Sequence, residues 1–442
     1  MVFSYFLYQS IYLTIFFKFP VFTLFSFFTK IDITRACLFK GVGEITGGQY
    51  SSQIMEDDKA KLEDVLKYFE HGNAPTFSRS TVYAKHGMVA SSQPLASDAG
   101  LTVLKNGGNA VDAAVAMAAC LAVTEPCSTG IGGDAFLLFF DAASGEVRSL
   151  NGSGRSAKQS SLEEVRKTQF DETSTNWSKS TNGQAVTVPG AVDAWECAIK
   201  KWGTMAFSDV LKPAIQLAEE GFPVAPKTAW FWQMEEPKLK NTRHGHELLV
   251  DGKNAPRAGE MFRNPGMAKC LKLIAEKGAK GFYTGEIAER ICNAVQDSGG
   301  TLSLDDLAEH ESTFPMSIRT NYRGVDVYEH PPNGQGLCAL LGLNLLRSTP
   351  VQHGGVPYKS AQRLHYQIEC MRLAFADARH FICDMDSEAP TPIEALLSED
   401  YTKERRKLLK PDRASKACHG TPLSCSDTVS FQVVDQFGNA GK

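Results

Sequence analysis

Small apolar residues fill almost every position from 110 to 123, a pattern typical of a helix that is buried on all sides. Asn109 stands directly before this segment and is a favourable N-cap residue. Two apolar runs follow at 135–141 and 146–150, separated by a short turn that contains Gly145. Their lengths and spacing predict an antiparallel hairpin.

Further helices are predicted where apolar residues recur at three- and four-residue steps. They are expected at 95–106, 189–202, 207–220, 266–277, 281–297, 335–346 and 360–383. In the last of these, one apolar stripe is expected to face the core: Leu364, Ile368, Met371, Phe375, Ala378 and Ile382. Short strands are predicted at 82–85, 88–91 and 428–435. This mixture favours an α/β or α+β fold, with helices covering at least one face of a sheet.

The composition is that of a globular protein with a substantial core, since 43% of the 442 residues are hydrophobic and 22% are charged. The net charge is −4 and no basic cluster stands out, which argues against a nucleic-acid partner. The 11 cysteines include no Cys-x-x-Cys pair, so a thiolate zinc site is not expected. The cysteines are predicted to be mostly reduced and buried.

Residues 1–30 are rich in phenylalanine, with Lys18 and Pro20 near the middle. Three interpretations stay open for this segment: a membrane anchor, a targeting segment, or a non-functional leader. Without an anchor, a cytoplasmic location is expected. Residues 31–75 are predicted to form a linker and a leading helix.

Two patterns resemble metal or cofactor sites but do not fit them. His365 and Glu369 share one helix face, whereas His380 would lie ~22 Å further along the helix, beyond any shared ion. The glycines at 130–133 precede a predicted strand, whereas a dinucleotide site needs a strand, then glycines, then a helix. We therefore expect neither a metal nor a cofactor.

One further position stands out, Thr428, at the start of an apolar strand after a loop rich in Cys, Ser, Gly and Pro. Several long motifs around it and before it occur in one order along residues 80–440. They are Gly87-Met-Val-Ala-Ser-Ser-Gln-Pro, Gly107-Gly-Asn-Ala-Val-Asp-Ala-Ala, Glu125-Pro-Cys-Ser-Thr-Gly-Ile-Gly-Gly-Asp, Val188-Pro-Gly-Ala-Val, Phe282-Tyr-Thr-Gly, His330-Pro-Pro-Asn-Gly-Gln-Gly and Asp427-Thr-Val-Ser-Phe-Gln-Val-Val-Asp. With these motifs the chain resembles the γ-glutamyltransferase (glutathione hydrolase) family of N-terminal-nucleophile hydrolases.

This resemblance implies an α+β fold, a four-layer αββα sandwich that is incomplete at the C-terminus. Region 76–427 would correspond to the family's large subunit and 428–442 to the start of its small subunit. A precursor of this kind cuts itself between Asp427 and Thr428. The freed α-amine of Thr428 then serves as a base for the hydroxyl of the same residue.

The resemblance further implies that Thr428 attacks γ-glutamyl amides such as glutathione. The acyl-enzyme passes its acyl group to water, or to an amino acid or peptide. The cut subunits would form a heterodimer. If residues 1–30 are a membrane anchor, the resemblance implies that the rest of the chain faces outward from the membrane.

One departure concerns the substrate carboxylate. Family members that act on γ-glutamyl substrates bind it with an arginine shortly after the strand at 146–150. Ser153 takes that position here, and Arg155 follows as an alternative ligand whose guanidinium suits a carboxylate. This variant resembles the family's divergent branch, so acylase activity on other N-acyl amides, such as a cephalosporin side chain, stays open.

A second departure concerns residues 428–442, since the family's small subunit extends much further. A sheet that lacks these strands exposes apolar surface and unpaired edges. Two expectations therefore stand side by side for this chain alone. It is either a competent threonine hydrolase or an inactive, truncated family member that at most binds a partner.

Overall fold

The computed structural model describes residues 80–161, 163, 183–351, 355–358, 360–387, 390–415, 432–435 and 439–441. The predicted segments 1–30 and 31–75 lie outside these residues. Nearly half of the described chain is helical. The helices are α1 (Pro94–Lys105), α2 (Ala110–Thr124), α3 (Ala191–Trp202), α4 (Phe207–Glu220), α5 (Pro226–Asn241), α6 (Pro265–Lys277), α7 (Lys280–Tyr283), α8 (Glu286–Asp297), α9 (Leu304–Ala308), α10 (Gly336–Leu346), α11 (Ala361–Phe381), α12 (Ile393–Leu397) and α13 (Glu399–Arg406).

The strands are β1 (Met88–Ala90), β2 (Ala135–Asp141), β3 (Glu146–Gly152), β4 (Phe222–Pro223), β5 (Met261–Phe262), β6 (Ile318–Tyr322), β7 (Val325–Glu329), β8 (Gln432–Val434) and β9 (Ala440–Gly441). Five of them form one antiparallel sheet in the order β1-β8-β9-β2-β3. Side chains alternate between the two faces of a strand. Leu137 and Phe139 are accordingly buried in the main core, whereas Phe136 points to the opposite face and is 41% exposed.

Helix α2 lies in the main core against the sheet, and all of its residues except Ala118 are buried. The side chain of Asn109 caps its first turn, and the side chain of Asp112 accepts a hydrogen bond from the Asn109 N–H in return. The Asp112 carboxylate also accepts hydrogen bonds from the backbone N–H and the hydroxyl of Thr204, just after α3. These contacts confirm the predicted buried helix and its cap, and they join the start of α2 to the end of α3.

Strand β8 is the second-to-last of the described strands in chain order, yet it contacts β1, β9 and helix α2. It pairs with β1 on one side and with β9 on the other. Asp435, directly after β8, is buried and accepts hydrogen bonds from the backbone N–H of Ala110 and from the side-chain amide of Asn439. The first residue of α2 is therefore bonded to the end of β8.

A second group of elements begins where residues 313–316 run along β3 and lead into β6. Strands β6 and β7 form a two-stranded ladder, and α10 packs on both of them. Helix α11 packs on α10, and Leu337, Ala374 and Leu396 belong to a small separate core there. The described residues thus contain a sheet with helices and a ladder with its own helices. The α+β prediction is confirmed.

The structure corrects three local predictions. Residues 82–85 are not a strand, and Tyr83 is 77% exposed, because β1 pairs with the distant β8 instead of with its sequence neighbour. The predicted helix 281–297 is two helices, separated at Gly285, where φ is +71°. The hairpin β6–β7 and helix α5 were not predicted.

The third correction concerns the buried face of α11. Of the predicted stripe, Ala378 is buried, Leu364 is exposed and the other residues are half-buried. The face that is buried carries Glu369 and Asp377, which form ion pairs with Arg372 and Arg405. Pairing makes burial of these carboxylates tolerable, which apolar periodicity does not anticipate.

Among the eight cysteines that the structure describes, Cys120, Cys292, Cys338 and Cys370 are buried thiols. Within the described ranges, no helix combines the length and apolar character needed to cross a bilayer.

Candidate active site

The end of β3 and the beginning of β2 lie side by side at one end of the sheet, because Ala135 pairs with Gly152. The chain then leaves β3 into residues 152–155, which we call the 152–155 segment. It contains both predicted substrate-binding residues, Ser153 and Arg155. The structure therefore places these two side chains beside the loop that leads into β2.

Glycines let this segment approach the chain just before α3 very closely. A Cβ atom at Gly154 would overlap the carbonyl oxygen of Val188, and one at Gly190 would overlap the carbonyl oxygen of Gly152. The backbone N–H of Val188 donates to the carbonyl of Arg155 at 2.9 Å. The motif Val-Pro-Gly is thus explained by its position against the segment, where no side chain fits.

Asp134, the last residue before β2, holds the segment from the other side. Its Oδ1 accepts a hydrogen bond from the Gly154 N–H at 2.8 Å. Desolvation raises the pKa of the Asp134 carboxyl, and hydrogen bonds from the Gly154 N–H and the Ser153 hydroxyl oppose that rise. The neighbouring carbonyl of Gly133 accepts from the N–H of Ala191, the first residue of α3, at 2.9 Å. The glycine-rich loop is therefore a structural connection between α3 and the segment.

A loop from the second group of elements reaches the same place. The Nδ2 of Asn333 donates to the Ser153 hydroxyl at 2.6 Å, and its Oδ1 accepts from the Nδ2 of Asn151 at 3.0 Å. The Oδ1 of Asn151 in turn accepts from the backbone N–H of Ser153 at 2.9 Å. Three polar side chains thus form one hydrogen-bonded network at the end of β3.

His330 anchors this loop to the sheet. Its Nε2 lies 3.1 Å from the carbonyl oxygen of Leu150, and its Nδ1 lies 2.8 Å from that of Pro331. Its ring makes an edge contact with Phe136, with centroids 5.0 Å apart. Burial lowers the pKa of His330, while its hydrogen bonds with the carbonyls of Pro331 and Leu150 oppose this.

Arg155 is exposed, and within the described residues its guanidinium forms no salt bridge or hydrogen bond. Near it lies His310, whose two ring nitrogens are buried without a hydrogen-bond partner among the described residues. The His310 ring stacks on Tyr283 with centroids 5.4 Å apart. Burial lowers the pKa of His310, and the charge of Arg155 lowers it further, while the carboxylates of Asp193 and Asp134 oppose this. Among the described residues of the site, Arg155 thus presents an unpaired positive charge.

The nucleophile and the cleavage site predicted from the resemblance, Thr428 and Asp427, lie outside the described residues. The described strand β8 nevertheless has a definite direction. Val433 and Phe139 both pair with Gly441, from opposite sides of β9, so β8 runs parallel to β2. The N-terminal end of β8 therefore points to the end of the sheet where β2 begins and the 152–155 segment lies.

The described residues contain no group of three side chains suited to hold a metal ion. His365 Nε2 lies 2.7 Å from the carbonyl oxygen of Lys410, and Glu369 pairs with Arg372. Both residues therefore have ordinary structural partners.

Sequence reasoning did not connect Asp134, Asn151, His330 or Asn333 with Ser153, near which the structure brings them together. A signal was present, because Asp134 follows the glycines of one motif and Asn333 follows the prolines of another. Nothing in the sequence pairs those two motifs, which lie about 200 residues apart.

A family model described as gamma-glutamyltranspeptidase matches residues 96–440. The glutathione hydrolase-like YwrD proenzyme of Bacillus subtilis (strain 168) is 36% identical, over 80% of this chain and 65% of that protein. This chain spans 63 to 65% of the length of the first curated relatives that it matches.

Two solved structures show the same likeness. The cephalosporin acylase of Bacillus halodurans has a TM-score of 0.74 and 39% identity, covering 83% of this chain and 67% of that one. The gamma-glutamyltranspeptidase of Helicobacter pylori has a TM-score of 0.70 and 29% identity, covering 78% of this chain and 97% of that one. From its motifs, its fold and these matches, the chain belongs to the gamma-glutamyltranspeptidase family.

Proposed function

We propose that this chain belongs to a threonine hydrolase that removes γ-glutamyl groups from amides such as glutathione and passes them to water, amino acids or peptides. One observation carries the proposal. The exposed, unpaired guanidinium of Arg155 lies at the end of the sheet to which the N-terminus of β8 points. Thr428 stands four residues before Gln432, the first residue of β8.

The register of the sheet supports this placement of the nucleophile. Since Val433 is level with Phe139, Gln432 is level with Leu138. A strand continued backward in this register would bring Thr428 level with Asp134, beside the 152–155 segment. Val434 is 42% exposed, so its face of β8 is the one that the helices leave open. In such a continued strand, position 428 would share the face of Val434.

The distance between nucleophile and arginine suits a γ-glutamyl group. Strand β8 is separated from β3 by three strand spacings, about 14 Å. An arginine side chain and a glutamyl side chain together bridge this distance. The Arg155 guanidinium would pair with the substrate α-carboxylate, for which its geometry is suited. The carbonyl to be attacked would then lie toward Thr428.

The chemistry begins with activation of the chain. The Thr428 hydroxyl attacks the carbonyl of Asp427, and the peptide bond becomes an ester. Water hydrolyses that ester, which leaves a carboxylate on Asp427 and a free α-amine on Thr428. The α-amine of Thr428, with an unperturbed pKa of ~8, then accepts the proton of the Thr428 hydroxyl when that hydroxyl attacks a substrate. The two products of the cut would stay together as a heterodimer.

Turnover then follows in two acyl-transfer steps. Thr428 Oγ attacks the γ-carbonyl, the amine of the substrate leaves with a proton, and a γ-glutamyl ester forms on the enzyme. Water or the amine of an acceptor attacks this ester and releases glutamate or a new γ-glutamyl amide. Both tetrahedral intermediates carry an oxyanion that needs positioned hydrogen-bond donors.

The first test is cleavage of the whole chain. Purified protein is incubated at neutral pH, and the masses and new N-termini are determined. We expect a fragment that begins at Thr428, and none from the Thr428→Ala variant. A wild-type chain that stays intact, and that turns over no γ-glutamyl amide, would contradict the proposal.

The second test concerns Arg155. Hydrolysis of γ-glutamyl-p-nitroanilide is compared with that of 4-aminobutyryl-p-nitroanilide, which lacks only the α-carboxylate. Arg155→Ala should lower kcat/KM for the first substrate by roughly a hundredfold, mainly through KM, and much less for the second. Arg257→Ala, at an exposed arginine in the chain just before β5, is the matched control.

A second candidate is an acylase that acts on other N-acyl amides. Two observations favour it: the serine at position 153, and the 39% identity with a solved cephalosporin acylase. Relative kcat/KM values for a cephalosporin amide and a γ-glutamyl amide decide between the two. A kcat/KM that is higher for the cephalosporin amide than for the γ-glutamyl amide would favour the acylase, provided that Thr428→Ala loses both activities.

A further inference from the structure

The side chain of Asn333 bridges two residues that lie about 180 positions earlier in the chain. One end of its amide accepts from Asn151 and the other donates to Ser153. Among the described residues, His330 is the other polar side chain of the loop at 330–336 that bonds to β3, and it bonds to the backbone there. Asn333 is therefore the side-chain contact between this loop and the 152–155 segment.

The orientation of each amide in this network is determined by its neighbours. The backbone N–H of Ser153 is a donor, so the atom of Asn151 that it meets is the oxygen. The other end of Asn151 is then a donor, and Asn333 must present its oxygen to it. This leaves the NH₂ group of Asn333 to donate to the Ser153 hydroxyl. Rotation of the Asn333 amide would set two NH₂ groups against each other.

This arrangement also directs the Ser153 hydroxyl. Since its oxygen accepts from Asn333, its own proton is available to donate, and this hydroxyl is one of the groups that lower the pKa of Asp134. Asp134 itself accepts from the Gly154 N–H. The loop at 330–336 and the residue before β2 thus contact neighbouring residues of the segment, Ser153 and Gly154.

The backbone of the 152–155 segment is held from two sides. Its glycines pack against the chain at 188–190, where the Val188 N–H bonds to the Arg155 carbonyl, and Asp134 accepts from the Gly154 N–H. The Asn333 amide adds a third contact, with the Ser153 hydroxyl. Arg155, two residues beyond Ser153, projects from a backbone whose path depends on both sides.

We propose that Asn333 is a positioning residue that sets the direction of Arg155 through Ser153, and so determines the preference for acyl groups that bear a carboxylate. This inference rests on the proposed function for its substrate. The inference goes beyond the proposed function because it assigns substrate selectivity to Asn333, a residue on a separate part of the fold. Asn333 itself contacts neither the substrate nor the nucleophile in this scheme.

The test uses the whole chain and the two anilides, γ-glutamyl and 4-aminobutyryl. Asn333→Ala should lower the ratio of their kcat/KM values by about 5- to 30-fold, the effect of one or two lost hydrogen bonds. The loss should appear in KM for the γ-glutamyl substrate, with kcat changed much less. Asn293→Ala, an exposed asparagine on α8, is the matched control and should leave the ratio unchanged.

A double-variant cycle separates positioning from general loss of structure. If Asn333 acts through Arg155, Arg155→Ala combined with Asn333→Ala should have the same ratio as Arg155→Ala alone. Equal losses on both substrates, or additive losses in the double variant, would overturn the proposal.

A second measurement does not depend on turnover. Amide hydrogen exchange of the peptide that covers 151–155 should be faster in Asn333→Ala than in the wild type, by about 5- to 30-fold, with α6 as the internal reference. Unchanged exchange there would overturn the positioning role even in an inactive chain. A wild type that turns over neither anilide would instead contradict the proposed function.

Discussion

Asp435 accepts a hydrogen bond from the backbone N–H of Ala110 at 3.2 Å, across 325 residues of sequence. The donor is the first residue of α2, where N–H groups are left without partners inside the helix. A carboxylate at this end also interacts favourably with the helix dipole. The bond joins the buried helix to the strand that follows the proposed nucleophile.

Replacement of Asp435 should weaken this connection. In Asp435→Asn, only one of the two side-chain positions can accept, although donors come from Ala110 and from both the backbone and side chain of Asn439. We expect the free energy of unfolding to fall by about 1–3 kcal/mol, measured by urea denaturation. Asp98→Asn, on the exposed side of α1, is the control. Equal midpoints for the two variants would show that the buried contacts are not needed.

Gly154→Ala should be strongly destabilising. Its Cβ would overlap the carbonyl oxygen of Val188, which belongs to backbone and cannot rotate away. We expect a loss of about 3 kcal/mol, seen as a lower denaturation midpoint. At Gly355 an added Cβ would meet nothing nearer than 3.5 Å, so Gly355→Ala should change stability little. A Gly154→Ala protein as stable as Gly355→Ala would contradict the close approach.

Stability should depend on pH through two buried histidines. Burial lowers the pKa of His310 and of His330 below the ordinary value near 6.5. The unfolded chain therefore binds more protons than the folded chain just below this pH. The contribution of these two histidines to the free energy of unfolding is complete above about pH 7. It is lost as the pH falls through 6.5 toward the lowered pKa values of the folded chain.

Urea unfolding between pH 5 and pH 7 measures this effect. The slope of unfolding free energy against pH should become smaller in the His310→Gln/His330→Gln double variant. His246→Gln, at an exposed position, should keep the slope of the wild type. A double variant with an unchanged slope would show that these rings do not titrate with folding.

The Tyr283 hydroxyl should contribute to the packing of the site. It donates to the carbonyl of Pro189 at 2.6 Å and accepts from the N–H of Asp193 at 3.2 Å, and burial raises its pKa. Tyr283→Phe leaves both backbone groups without this partner, and we expect a loss of about 1–2 kcal/mol in thermal or urea unfolding. Tyr83→Phe, at a side chain that is 77% exposed, should be neutral. A loss of equal size in both variants would argue against a specific role.

Local sequence patterns predicted the helices and strands whose formation depends mainly on their own residues. Helix α2 has an unbroken apolar sequence and a capping Asn109, and the β2–β3 hairpin has two apolar runs around Gly145. Such elements depend on contacts between near neighbours, which the sequence displays directly. Family resemblance added Ser153 and Arg155 as candidates, and the structure places both at one end of the sheet.

Elements that depend on distant partners were predicted poorly. Residues 82–85 have strand-like composition but no partner, and α11 buries two carboxylates because Arg372 and Arg405 meet them. Helix α5 contains Pro237 within it, a residue that local rules exclude from helix interiors.

By itself, the sequence determined the family, the principal helices and the hairpin, since these follow from local periodicity and from ordered motifs. Only the tertiary structure decided which side chains meet. The network of Asn151, Ser153 and Asn333 joins positions about 180 residues apart, and the bond from Ala110 to Asp435 spans 325. The physical reason is that a hydrogen bond requires atoms within about 3 Å, and sequence separation carries no information on that distance.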